Sequence, residues 1–95
     1  MIIIAGHLRL DPTARDAFVA AHRDLVARAR AFPGCLDLAI TADSVDPSRV
    51  NNLEVWQDAE ALTAWRAVAA APDLGTAIRA AEVKRYDAVD GGPLF

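Results

Sequence analysis

Asn51-Asn52-Leu53-Glu54-Val55-Trp56 runs without a break into Gln57-Asp58-Ala59-Glu60-Ala61-Leu62-Thr63-Ala64-Trp65-Arg66, and the stretch reads as a strand turning into a helix. Successive side chains of a strand point to opposite faces, so Asn52, Glu54 and Trp56 share one face and Leu53 and Val55 the other. A plain core strand would carry aliphatic residues where this one carries an amide, a carboxylate and an indole. That face is where chemistry is expected. Asp58 is placed to cap the helix, Glu60 sits near its positive end, and Leu62, Trp65 and Val68 or Ala69 make its buried stripe.

Working back from this unit, turn formers cluster at Asp43-Ser44-Val45-Asp46-Pro47-Ser48-Arg49 and join it to an alternating strand over 35–43. Leu36, Leu38 and Ile40 fall on one face of that strand, Asp37, Ala39 and Thr41 on the other. The pair is an antiparallel hairpin. Pro33-Gly34 ends a preceding helix that begins at Asp11-Pro12-Thr13 and runs to about Ala31, with Phe18, His22, Leu25, Ala29 and Phe32 as its inward stripe. Residues 2–10 open the chain as a β-branched strand with Ile2, Ile4 and Leu8 on one side and Ile3, Ala5 and His7 on the other. Downstream, Pro72-Asp73 interrupts the second helix, a short helical segment is expected over 74–81 with Leu74, Ile78 and Ala81 inward, and 82–89 forms the last strand, whose alternation is too poor to assign faces.

The order β-α-β-β-α-β gives an α+β, ferredoxin-like fold: a four-stranded antiparallel sheet with its helices on one face. The whole chain is read as a single domain, with 90–95 as a flexible tail. The other sheet face would be semi-apolar and bare, and a symmetric homodimer through that open face covers it most simply. A hydrophobic share of 54% in 95 residues supports self-association.

A net charge of −3 and a pI near 5.1 argue against nucleic acid and acidic membranes as partners. Cys35 is the only cysteine, so neither a disulfide within the chain nor a cysteine metal cluster is available. The apolar start lacks a basic leader and meets charge at Arg9 and Asp11, so neither a signal peptide nor a membrane span is expected there, and a cytoplasmic location is expected. No histidine pair at ligand spacing, phosphate-binding glycine loop or Ser-His-Asp set is present, and neither metal nor cofactor is expected.

Four stretches resemble the antibiotic biosynthesis monooxygenase (ABM) family: the first strand entering Asp11-Pro12-Thr13-Ala14-Arg15, the turn Pro33-Gly34-Cys35-Leu36, the loop Asp43–Arg49, and Leu53-Glu54-Val55-Trp56 followed by Glu60-Ala61-Leu62. The resemblance implies a homodimeric α+β barrel with the helices outside. It covers cofactor-independent oxygenases of aromatic polyketides, quinol monooxygenases and haem-degrading enzymes. In the polyketide oxygenases an Asn and a Trp four residues apart on this strand are implicated, a spacing that Asn52 and Trp56 match. An active-site tyrosine of those enzymes has no counterpart beside Leu62 and Trp65. Where many relatives carry a histidine this chain has Trp65, and no histidine follows His22, so iron is not bound from that helix.

A cofactor-free oxygenase needs a pocket, an anion stabiliser and a base. Asn52 can donate to a developing oxyanion, and Trp56 can stack on a flat ring and donate its indole N–H. Against this, Asn52 can simply end the hairpin and Trp56 close the barrel end. Glu54 is a base if apolar neighbours raise its pKa, or a carboxylate bonded to arginine across the sheet or dimer seam. His22 is either an acid–base group or a satisfied half-buried histidine. Trp65 is core or a second pocket wall, and Tyr86 could add a phenol. Two functions remain: a cofactor-independent monooxygenase of a phenolic, quinol or anthrone-type aromatic held between sheet and helices, and a non-catalytic dimeric ligand-binding or stress-associated domain.

Overall fold

The computed structural model describes residues 1–95. In chain order the elements are β1 (Ile2–Arg9), α1 (Pro12–Ala21), α2 (Arg23–Arg30), β2 (Cys35–Ala42), β3 (Arg49–Trp56), α3 (Ala59–Arg66) and β4 (Ala80–Asp87). The strands lie in the order β2-β3-β1-β4, every neighbour antiparallel. This is the ferredoxin-like arrangement. The larger core cluster joins Ile2, Ile4, Leu38 and Trp56 from the sheet to Leu25 and Ala29 of α2 and to Leu62 and Trp65 of α3. A smaller one joins Leu10, Phe18 and Val50. All three helices therefore cover one face.

The first helix is two helices. His22 sits at φ −90° and ψ 1°, closing α1 and opening α2. In an unbroken helix the Phe18 carbonyl would accept the His22 backbone N–H. Here it lies 2.7 Å from the ring Nδ1 of His22, and the backbone N–H turns to Val19 O at 3.2 Å. The side chain has taken the backbone's acceptor, and the axis breaks there.

Three more expectations are corrected. Leu36 points outward, 58% exposed, because a bulge between Cys35 and Asp37 leaves it unpaired against Trp56 while Leu38 and Ile40 keep the inward register. No helix forms over 74–81. Ala70 already has a left-handed φ of 49°, Pro72 has no N–H to give, and Asp73 Oδ1 accepts from Gly75 N at 3.1 Å in a local turn. Leu74 and Ile78, expected inward, are consequently 42% and 51% exposed. The last strand begins at Ala80, earlier than expected, and its register settles its faces. Glu82, Lys84 and Tyr86 stand opposite His7, Ala5 and Ile3, so they belong to the helix-free face.

At eight residues α3 is too short to persist alone. Its cap, Asp58 accepting from Ala61 N at 2.8 Å, contributes about 1 kcal/mol. Burial of Leu62 and Trp65, 1% and 4% exposed, contributes about 2–3 kcal/mol each and decides the matter. The turn before β2 fixes where this helix starts. Gly34 has φ +86° and Ala61 Cβ lies 2.5 Å from where its own Cβ would stand, so only glycine admits the close approach.

The 43–49 loop is tied by its own carboxylates. Asp43 accepts from the Asn51 side chain at 2.9 Å and from the backbone N–H groups of Asp46 and Val45, and Asp46 accepts from Ser48 and pairs with Arg9. These hydrogen bonds, led by the Asn51 amide for Asp43 and by the Ser48 hydroxyl for Asp46, hold both pKa values down at about 2. Arg15 reaches in from α1 and donates through Nη1 to the carbonyls of Asp46, Arg49 and Asp43 at 2.9, 3.2 and 3.3 Å. The loop is thereby clamped to the helix layer.

Candidate functional site

Between the helix-covered faces of β2 and β3 and the inner sides of α2 and α3 lies a cavity of about 200 Å³. Leu25, Leu38, Ile40 and Trp65 supply its apolar walls, Asn52 and Glu54 its polar groups, and Arg66 with Ala69 its rim. The strand register explains the placement. Asn52 lies opposite Ile40 and Glu54 opposite Leu38, so the two polar groups project from a sheet face whose other members are aliphatic.

Asn52 and its neighbour differ in one respect. The Asn51 amide is spent, donating to Asp43 and accepting from Arg49 Nε at 2.7 Å. The Asn52 side chain makes no hydrogen bond within the chain, and its Oδ1 is buried without a partner. An amide oxygen left so costs about 1–3 kcal/mol relative to a paired one.

Within the chain Glu54 is not bonded to an arginine. The Trp56 indole N–H donates to its Oε1 at 3.0 Å, since residues two apart on a strand share a face. Trp56 itself is fully buried, 0% exposed, and does not line the cavity. Its N–H is therefore committed to Glu54, and its ring to Trp65, stacked at 6.2 Å between centroids, and to the edge of Phe32 at 6.3 Å. Trp65 is both core and wall. Phe32 packs against it at 5.4 Å and the Arg28 guanidinium lies 5.7 Å from its ring centroid.

The remaining candidates stand apart. His22 is buried against the Phe18 ring at 4.3 Å, and because a carbonyl can only accept, its Nδ1 carries the proton shared with Phe18 O. It is not among the residues lining the cavity. Tyr86 lies on the opposite face of the sheet, 49% exposed. The structure thus brings together Asn52, Glu54 and Trp65, with Trp56 behind Glu54, and leaves His22 and Tyr86 elsewhere. Leu25, Leu38 and Ile40 carried a sequence signal, as members of inward stripes, but only as core. Arg66 carried none.

Cys35 is half-buried on the inner side of the sheet, and burial, then the carboxylates of Asp37 and Glu54, push its thiol pKa up. It is kept as a thiol rather than the nucleophilic thiolate. No group of three His, Cys, Asp or Glu side chains is arranged to hold a metal ion, and no helix is long and apolar enough to cross a membrane.

The family model described as antibiotic biosynthesis monooxygenase matches residues 1–73. A solved structure from Chloroflexus aurantiacus, assigned by name to that family, is 29% identical, covers 99% of this chain and 98% of its own, and superposes with a TM-score of 0.75. One from Caulobacter crescentus, assigned likewise, is 26% identical over 94% of this chain and 90% of its own, with a TM-score of 0.74. A Bacteroides thetaiotaomicron protein of unknown function shares the fold at 21% identity and a TM-score of 0.72, over 90% of this chain and 94% of its own. An uncharacterised Synechocystis protein is 27% identical over 61 residues, 64% of this chain, and the match spans 42% of that protein's length.

Proposed function

Because the chain belongs to the antibiotic biosynthesis monooxygenase family, we propose that it is a cofactor-independent monooxygenase of a phenolic, quinol or anthrone-type aromatic. The observation that supports this reading is the cavity whose otherwise mostly apolar lining includes the Asn52 amide, with its Nδ2–H donors, and the Glu54 carboxylate. Glu54 takes the hydroxyl proton, and the Asn52 amide meets the oxyanion that forms. The electron-rich anion then reduces dioxygen. One oxygen atom enters the ring and the other leaves as water, with the electrons drawn from the substrate itself. No outside reductant is required by that balance. Trp56 acts through Glu54, holding its carboxylate by the indole N–H, and is a positioning residue in this scheme.

Two copies meet through the open sheet face in the same proposal. Ile3, Ala5, Leu53 and Val55 lie there, and no helix of the chain covers them. Sedimentation giving the mass of one chain at micromolar concentration contradicts that part. The second reading, a non-catalytic dimeric ligand-binding or stress-associated domain, draws on a specific observation: the Trp56 side chain is sealed away from the cavity. Oxygen uptake with hydroquinone and with an anthrone separates the two. The oxygenase reading expects uptake above autoxidation for wild type and a loss in Asn52→Ala and Trp56→Phe. Uptake at the autoxidation rate for all three proteins leaves only the binding domain.

A further inference from the structure

We infer that Arg66, at the rim of the cavity, anchors an anionic substituent: the ligand is a hydroxyl-bearing aromatic that also carries a carboxylate, whatever its number of rings. This rests on the proposed oxygenase site and adds a specificity determinant to it. The first support is the partnering of charges. Arg9, Arg15, Arg28, Arg30, Arg49 and Arg79 each lie against an aspartate. Arg66 has neither an ion pair nor a hydrogen bond within the chain, although 13 acidic residues stand against 10 basic ones. The reason is local: Leu62 and Thr63, four and three residues before it on α3, carry no carboxylate. Of the other cations without an ion pair, Arg23, Lys84 and Arg85, none lines this cavity.

The second support is the balance of donors and acceptors. Glu54 lines the same cavity, but its Oε1 accepts the Trp56 indole N–H, and no ion pair joins it to Arg66. A guanidinium has only donors, the Asn52 Nδ2–H groups are donors too, and Glu54 alone accepts strongly. A plain phenol leaves the guanidinium to water. A carboxylate offers it two oxygens in the matching fork geometry, and at the exposed rim that anion keeps much of its solvent and stands outside the half-buried Glu54. The phenol of the same molecule is then directed inward to Asn52 and Glu54. Arg66 is also the basic residue in the last turn of α3, where the helix dipole favours a cation without any ligand.

Isothermal titration calorimetry at neutral pH separates these roles, with 4-hydroxybenzoate and 6-hydroxy-2-naphthoate each compared with its own methyl ester. At least one acid should bind about tenfold more tightly than its ester, a modest figure because the rim is solvated. Arg66→Met should abolish that preference while changing ester affinity less than about twofold, and Arg66→Lys should keep part of it, as a charge without the fork. Added salt should weaken the acid and spare the ester. A purely dipolar role would instead lower the thermal midpoint and leave the acid-to-ester ratio unchanged. Esters binding as tightly as the acids in both ring systems, a preference that survives in Arg66→Met, or no saturable heat from either acid overturns the inference. The two readings fail separately: an acid preference without catalysed oxygen uptake sinks the oxygenase and spares the anchor, whereas catalysed uptake with hydroquinone or an anthrone and no acid preference does the reverse.

Discussion

Trp56→Phe isolates the contact on which the geometry of the site depends. The indole is fully buried, its N–H donates to Glu54 Oε1 at 3.0 Å, and its ring stacks on Trp65. Losing a hydrogen bond to a carboxylate costs about 1.5–3 kcal/mol, and the half-buried Glu54 places this one at the low end. Shrinking the indole to a phenyl leaves a partial void worth about 1–2 kcal/mol, a fraction of the 3–5 kcal/mol of full truncation. The sum is about 3 kcal/mol. For a chain of this size each kcal/mol shifts the thermal midpoint by about 4–8 °C, so a fall of about 12–24 °C is expected. Circular dichroism is the suitable probe, because the substitution removes half of the tryptophan fluorescence. A double-mutant cycle with Glu54→Ala should return a coupling of about 1–2 kcal/mol. A loss below about 1 kcal/mol with no coupling refutes the hydrogen bond as a determinant of Glu54 position.

Three perturbations test the frame that holds the site. Gly6→Ala puts a Cβ 1.9 Å from Glu82 O and 2.7 Å from Val83 Cα, so β4 should be forced off β1, seen as hydrogen-exchange protection lost across Ala80–Asp87 with β1–β3 protection retained. Arg15→Met removes the donor to three loop carbonyls and should cost about 2 kcal/mol in urea unfolding, discounted from three charged bonds because the loop is partly solvated. Acid should loosen the same loop. Asp43 and Asp46 have folded pKa values near 2 against an ordinary 3.8, so the stability they give is fully present above about pH 4 and is lost as pH falls toward 2. Asp43→Asn should lessen the fall of the urea midpoint across that range, the part due to Asp46 remaining.

The sequence made much of the frame legible because local rules and packing agreed. Asp58 was readable as a cap and accepts the Ala61 amide, and Asp11, in the stretch read as the start of the first helix, accepts that of Thr13. The alternation of β2 and β3 gave the hairpin. It failed where a side chain competed with the backbone or an extra residue entered the ladder: His22 took the Phe18 carbonyl, Leu36 fell in a bulge, and Asp73 closed a turn where a helix was expected. For the site, period-two spacing placed Asn52, Glu54 and Trp56 on one face, and the register puts that face beneath the helices. Spacing could not say which of the three meets the cavity. That depended on how deep the indole packs between Phe32 and Trp65, a property of three segments at once.

Oxygenation with isotopically labelled dioxygen tests the central claim most directly. Hydroquinone turned over by the wild-type protein should yield a hydroxylated quinone carrying one labelled oxygen atom, with the second label in water. A quinone without label, formed alongside hydrogen peroxide, or a product rate equal to that of buffer alone would contradict it.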